Sequence, residues 1–332
     1  MPSTSGSTQA AASVAPLSPP ATVKVGDSQQ ATQAGLYLGI ANGYFQQEGV
    51  NIELVPSASL ETNIAIVARG DLDVISGAAV PALFNAIERG VGMQISATSG
   101  IQAPGRSQLI VARKELVDSG QLKDYADLRG RNIVRPATLG LATMALERAL
   151  ARGNVQPSEV NFVNLSQPET IAALSNEAVD VGYLAEPYAT TAIEQGVAAK
   201  WRELGDFVPN HASFWIYSGK FIETNPEAAR RFTVGLLRGA RDYELAFTKA
   251  QGRTEVVQAL TKHTTIKDPA MYDKMTPIKI SADGVVDTAA LQEDVEWLKS
   301  KGALQMLPDV NKIVNQEFTR YALQRLGPST TP

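Results

Sequence analysis

The sequence predicts an α/β chain folded as two lobes joined by a hinge. Strand-length apolar segments alternate with helical ones from Val23 to Thr98, and Gly49, Gly70 and Gly90 close successive helices. The same alternation restarts after Arg113. The length of 332 residues suits two cores rather than one, since a domain usually takes about 100–200 residues.

In the first lobe the pattern predicts a strand over 23–25 and a helix over 35–47, with Leu36, Ile40, Tyr44 and Phe45 on one face. Strands over 51–55, 74–76 and 94–98 are separated by helices over 60–69 and 82–89. Strand–helix–strand units of this length imply a parallel sheet with right-handed crossovers. In the second lobe strands are expected over 132–135, 160–165 and 179–183. They alternate with helices over 141–152, 167–176 and 187–195. Ser166 and Glu169 form a capping box at the second of these helices.

From His211 the run H-A-S-F-W-I-Y-S reads as a strand returning to the first lobe. Asn225-Pro226 then starts a helix carrying Phe232, Leu236, Leu237 and Tyr243. Helices over 288–301 and 310–326 are expected to pack on lobe one. The expected organisation is a disordered linker over 1–21, lobe one over 22–112, lobe two over 113–210, and a return strand with C-terminal helices over 211–332. Crossings near 110–113 and near 211–217 would form a two-strand hinge, the venus-flytrap architecture, in which closure traps a ligand.

Composition narrows the function. The net charge is −4, from 30 basic and 34 acidic residues, with no basic stripe for nucleic acid. No apolar run approaches the roughly 18–20 residues that span a bilayer. The absence of cysteine excludes disulfides, thiolate metal sites and cysteine nucleophiles. His211 and His263 share no ligand spacing, so no metal and no cofactor is expected. Residues 1–21 are rich in Ser, Thr, Ala and Pro, too poor in apolar bulk to offset ordering. Such a tether commonly follows the lipid-modified cysteine of a surface lipoprotein; the competing reading is a cytosolic protein with an unstructured start.

In open α/β sheets ligands sit at the carboxyl ends of the strands, where helix N-termini point amides into the crevice. In lobe one this rule selects Asp27, Gln29 and Gln30, then Ser57 and Ser59, then Ser76, Gly77 and Ala78, then Thr98 and Ser99. Tyr37, on the first helix, joins them. In lobe two it selects Thr138 and Gly140, Gln167, Glu186 and Tyr188. The selection is suited to hydrogen-bonding a polar small molecule and is poor in His, Lys and Cys, which argues against an enzyme. Ser57, Ser59 and Ser76 can serve a ligand, cap the next helix, or do both. Pro187 biases Glu186 to an extended conformation, leaving a carboxylate for an amine, a ring N–H or its own helix. On the return strand His211, Ser213, Trp215 and Tyr217 share one face. Trp215 is the aromatic proposed to reach the cleft, although alternation alone does not say which face is core.

The segments G-L-Y-L-G-I-A-N-G-Y-F-Q-Q-E-G-V, G-D-L-D-V and A-E-P-Y-A together resemble the ligand-binding components of ABC importers, in the group for aliphatic sulfonates, taurine, nitrate and thiamine-precursor pyrimidines. The likeness covers most of 23–200. It implies a type II periplasmic-binding fold, an ABC permease as partner, a periplasmic or cell-surface location, and membrane attachment only through a lipid anchor. A monomer suffices for delivery. The group also includes an enzyme branch that uses pyridoxal phosphate and carries a cysteine-rich motif, which this chain lacks.

Glu186 and the absence of basic residues from these loops make the expected ligand a nitrogen-rich planar heterocycle, a pyrimidine or flavin-like vitamin or precursor. The alternatives are a sulfonate, taurine or nitrate binder of the same fold, and a cofactor-using biosynthetic enzyme on this scaffold. The enzyme would need Lys24, Lys200 or Lys220 to form an internal aldimine.

Overall fold

The computed structural model describes residues 14–209 and 211–330. In chain order the strands are β1 (Ala21–Asp27), β2 (Val50–Pro56), β3 (Val74–Gly77), β4 (Met93–Ile101), β5 (Leu109–Arg113) and β6 (Asn132–Arg135). They continue with β7 (Asn161–Asn164), β8 (Val181–Leu184), β9 (Ala198–Glu203), β10 (His211–Ser218) and β11 (Lys279–Ile280). Lobe one holds a six-stranded sheet of order β11-β4-β10-β3-β1-β2, and lobe two a five-stranded sheet of order β7-β6-β8-β5-β9.

β1 pairs in parallel with β2 and β3, as the crossover helices require. β10 enters between β3 and β4 and runs antiparallel to both. Its composition explains that central place: Phe214 and Ile216 pack into the core on one face, Trp215 and Tyr217 into the core on the other. Against the Trp215 face lie the helices Ala34–Ala41 and Pro226–Lys249. Against the Phe214 face lie the helices Leu60–Ala68, Pro81–Glu88 and Thr288–Ser300. The C-terminal helices thus complete lobe one.

Two expected helices are broken, each for a local reason. The first stops at Ala41 and restarts at Tyr44, because Gly43 takes a left-handed φ of 69°. The last is interrupted between Ile313 and Glu317, where Val314 bridges Ile95 and the Asn315 amide donates to the Ile95 carbonyl. At the other terminus, residues 1–13 of the expected linker lie outside the described residues. Leu17 already donates its amide to the Glu48 carbonyl at 3.2 Å, and Ala21 opens β1, so the chain is tied to lobe one before residue 22.

The crossings between lobes lie elsewhere than 110–113 and 211–217. The first of those segments is β5, paired on both edges inside the lobe-two sheet, and the second is β10. The chain crosses instead over 102–108 and between Glu203 and His211. Glu203 stitches the crossings together: its Oε2 accepts from the Gly105 amide at 2.6 Å and from the Ser107 hydroxyl at 3.4 Å. Arg106 fastens the first crossing to lobe one through Glu244, at 2.5 and 3.0 Å, and through the Pro277 and Ile278 carbonyls.

Candidate functional site

Two cavities open along the carboxyl ends of the lobe-two strands. One, of about 60 Å³, lies at the hinge end, between residues 30–32 of lobe one, Ser107 and Gln108 of the crossing, Ala185 and Glu186 of lobe two, and Thr264, Thr265, Ile266, Met275, Thr276 and Ile278. The other, of about 520 Å³, is lined by Val134, Arg135, Pro136, Ala137, Thr138, residues 164–167 and Tyr183. Nearby the lobes touch: Leu139 packs on the lobe-one core, and a Cβ on Gly140 would stand 3.4 Å from Val80 Cγ1.

The larger cavity is built by three strand ends. β6 pairs in parallel with both β7 and β8, so Arg135, Asn164 and Tyr183 emerge side by side. Gln167 spends its side-chain oxygen on the Ala185 amide at 2.9 Å, which fixes the loop after β8 and leaves its NH₂ to donate. The helix Leu141–Arg152 starts beyond extended Gly140 with no side-chain cap, so its first amides are open to an acceptor. Burial pushes the Tyr183 phenol well above its usual range, against the opposing effect of a hydrogen bond with the Gln108 side chain, so its hydroxyl stays protonated.

Sequence reasoning missed Arg135. Its guanidinium stacks 4.7 Å from the centroid of Phe162 and makes no hydrogen bond or ion pair among the described residues. It escaped because the rule selected loops, and Arg135 is the last residue of β6 itself. A charged residue closing a strand immediately before Pro136 was the signal available.

Gln30 and Glu186 line the hinge-end cavity, and Thr138 and Gln167 the larger one. Glu186 is engaged twice: Oε2 accepts from the Thr190 amide at 3.0 Å, capping its own helix, and Oε1 from the Thr276 amide at 3.2 Å. Asp27, at the end of β1, accepts from the Gln29 amide at 3.0 Å and the Tyr37 hydroxyl at 2.6 Å. That leaves Gln29 exposed in a left-handed turn of φ 55°. Ser57 donates to the Ser59 carbonyl, and Ser59 caps the helix Leu60–Ala68 through the Thr62 amide at 3.2 Å. Gly140 sits where the lobes meet, Ala78 is half-buried, and Ser76 is buried at the end of β3.

Six expected site residues are drawn elsewhere. Trp215 is packed in the lobe-one core, edge-on to Phe232. Tyr37 is fully buried, stacked on His263 with its hydroxyl on Asp27, and burial together with that bond pushes its pKa far up. Thr98 donates to the Val285 carbonyl and Ser99 bonds Ser213, because the C-terminal segment covers the end of β4. A Cβ on Gly77 would stand 2.6 Å from Leu60, so this glycine makes room for a helix rather than for a ligand. Tyr188 is 37% exposed and lines neither cavity.

Two α/β lobes, two crossings and a cleft at the strand ends define the class: a type II periplasmic-binding-protein fold. The chain belongs to the NMT1/THI5-like family, whose model matches residues 30–244. Among curated proteins it is 26% identical over 141 residues to the taurine-binding periplasmic protein of Escherichia coli K12; the match spans 42% of each chain. The periplasmic aliphatic sulphonate binding protein SsuA from E. coli superposes with a TM-score of 0.72 at 18% identity, over 90% of this chain and 92% of that one. The periplasmic nitrate-binding protein NrtA from Synechocystis PCC 6803 gives 0.71 at 17% identity, over 96% and 92%. At such identities these structures show the fold.

Proposed function

We propose that the chain is an exported solute-binding protein that delivers a small organic oxyanion, of the sulfonate class, to an ABC importer. One observation carries the ligand class: Arg135, a guanidinium without a counter-ion among the described residues, walls the larger cavity. A planar fork of N–H donors suits sulfonate or carboxylate oxygens, and such charge-assisted bonds are about twice as strong as neutral ones. The Gln167 side-chain NH₂ adds a donor on the wall of the same cavity. This takes the place of the heterocycle expectation, which rested on loops without basic residues and on Glu186, whose two oxygens accept from the Thr190 and Thr276 amides.

The match to a taurine-binding protein supports the reading. The amines an internal aldimine would require, on Lys24, Lys200 and Lys220, line neither cavity, and Lys220 donates to the Gly70 carbonyl. Selectivity would come from hydrogen bonds made as the lobes close over the solute. A thermal-shift screen over alkanesulfonates, taurine, nitrate, carboxylates and pyrimidines tests it. A ligand at a hundredfold excess over its Kd adds about 2.7 kcal/mol, a rise of a few degrees. Stabilisation by a sulfonate is the expected result; stabilisation by pyrimidines alone would reject the ligand class and keep the transporter.

A further inference from the structure

Residues 264–278 run across the hinge end of the cleft before β11 rejoins the lobe-one sheet beside β4. The segment is anchored to lobe one. Tyr272 packs in the lobe-one core, the Thr264 hydroxyl donates to the Leu260 carbonyl at 2.8 Å, Arg253 donates to the Tyr272 carbonyl, and Arg106 reaches Pro277 and Ile278. Its outward contacts go to lobe two. The Thr276 amide donates to Glu186 Oε1 at 3.2 Å, and Lys274 pairs with Glu194 at 2.8 Å. Glu186 stands two residues beyond the end of β8 and Glu194 ends the next helix, so both acceptors move with lobe two.

We propose that residues 274–276 are a latch that holds lobe two against lobe one while the cleft is empty, with Glu186 and Glu194 as its receivers. A rotation that parts the lobes at this wall breaks both contacts, because each has one partner per lobe. Glu186 is the inner contact: one carboxylate clamps its own helix and the strap together, at the wall of the hinge-end cavity. The Lys274–Glu194 pair is the outer contact; both side chains are about half exposed, so salt weakens it. A latch of this kind raises the share of molecules already closed, and apparent affinity rises with that share.

The latch stands on lobe geometry and not on the ligand, so it is tested on the ligand-free chain. Because the sequence has no cysteine, Glu88→Cys on lobe one and Ser119→Cys on lobe two, both exposed, accept unique spin labels. Pulsed electron resonance then reads the lobe-to-lobe distance at low salt. Lys274→Glu and Glu194→Lys should each move the open-to-closed ratio about two- to fivefold toward the longer distance. The double swap should restore the parent distribution. Single variants that leave the distances unchanged, or a swap that fails to restore them, would overturn the latch. A failed oxyanion screen would leave it standing.

Discussion

A Cβ added to Gly239 would stand 2.1 Å from the carbonyl oxygen of Gly35 and 2.6 Å from the amide nitrogen of Gly39. The helices Ala34–Ala41 and Pro226–Lys249 therefore meet backbone to backbone. The contact is reciprocal: Gly35 faces the Leu236 carbonyl and Gly39 the Gly235 carbonyl, at 2.9 and 3.0 Å from their added Cβ positions. On each helix the glycines are four residues apart, about one turn, so they line one ridge.

Gly239→Ala has only backbone to push against. Overpacking of this kind costs about 1–3 kcal/mol. Urea denaturation should show the midpoint falling, and a midpoint equal to the parent's would mean that the helices can move apart freely.

Glu244 makes a second prediction. Its buried carboxylate takes both Arg106 nitrogens and the Ile280 amide at 2.7 Å, joining the first crossing to lobe one. Glu244→Ala strands a partly buried guanidinium and should cost about 3–5 kcal/mol, the usual penalty for removing one partner of a buried pair. Glu244→Gln keeps an acceptor for Ile280 and should cost less. Equal losses for the two, measured by denaturant titration, would argue that the charge alone matters.

His263 gives a pH prediction. It stacks on Tyr37 with ring centroids 5.0 Å apart, and burial holds its pKa below the ordinary 6.5, against the opposing pull of Asp27. Below 6.5 the unfolded chain binds this proton and the folded chain resists it. The contribution to stability is therefore complete above 6.5 and is lost as pH falls through the window beneath. His263→Phe keeps the stack and removes the titration. The drop in melting temperature from about pH 7.5 to about pH 5.5 should shrink in this variant; a drop as large as the parent's would exclude His263 as its source.

Local grammar was legible in the sequence, and long-range geometry much less so. β6 and the helix Leu141–Arg152 occupy the residues that period and capping assign, and the Ser166–Glu169 capping box is formed. The break at Val314 could not be read, because a bridge to Ile95, far away in the chain, competes there with helix propensity. The hinge was misplaced for a related reason. β5 and β10 look like connectors next to the lobes' strand–helix units, yet both are interior strands, and the short crossings that flank them carry little apolar pattern. In the site, alternation marked Thr98, Ser99 and Trp215 as candidates but could not show that the C-terminal segment and the core would claim them. Arg135 was hidden by counting loops where the strand's last residue was the one exposed to the cavity.

The central claim is that Arg135 receives an oxyanion, and calorimetric titration of the parent, Arg135→Lys and Arg135→Ala with an alkanesulfonate tests it most directly. The unliganded Ala variant should melt only slightly below the parent, since among the described residues Arg135 has the stack on Phe162 to lose and no hydrogen bond or ion pair. Losing a charge-assisted bond of about 1.5–3 kcal/mol should weaken the Ala variant by roughly 10- to 150-fold, with Lys recovering part of it. Sulfonate bound by Arg135→Ala as tightly as by the parent would contradict the account.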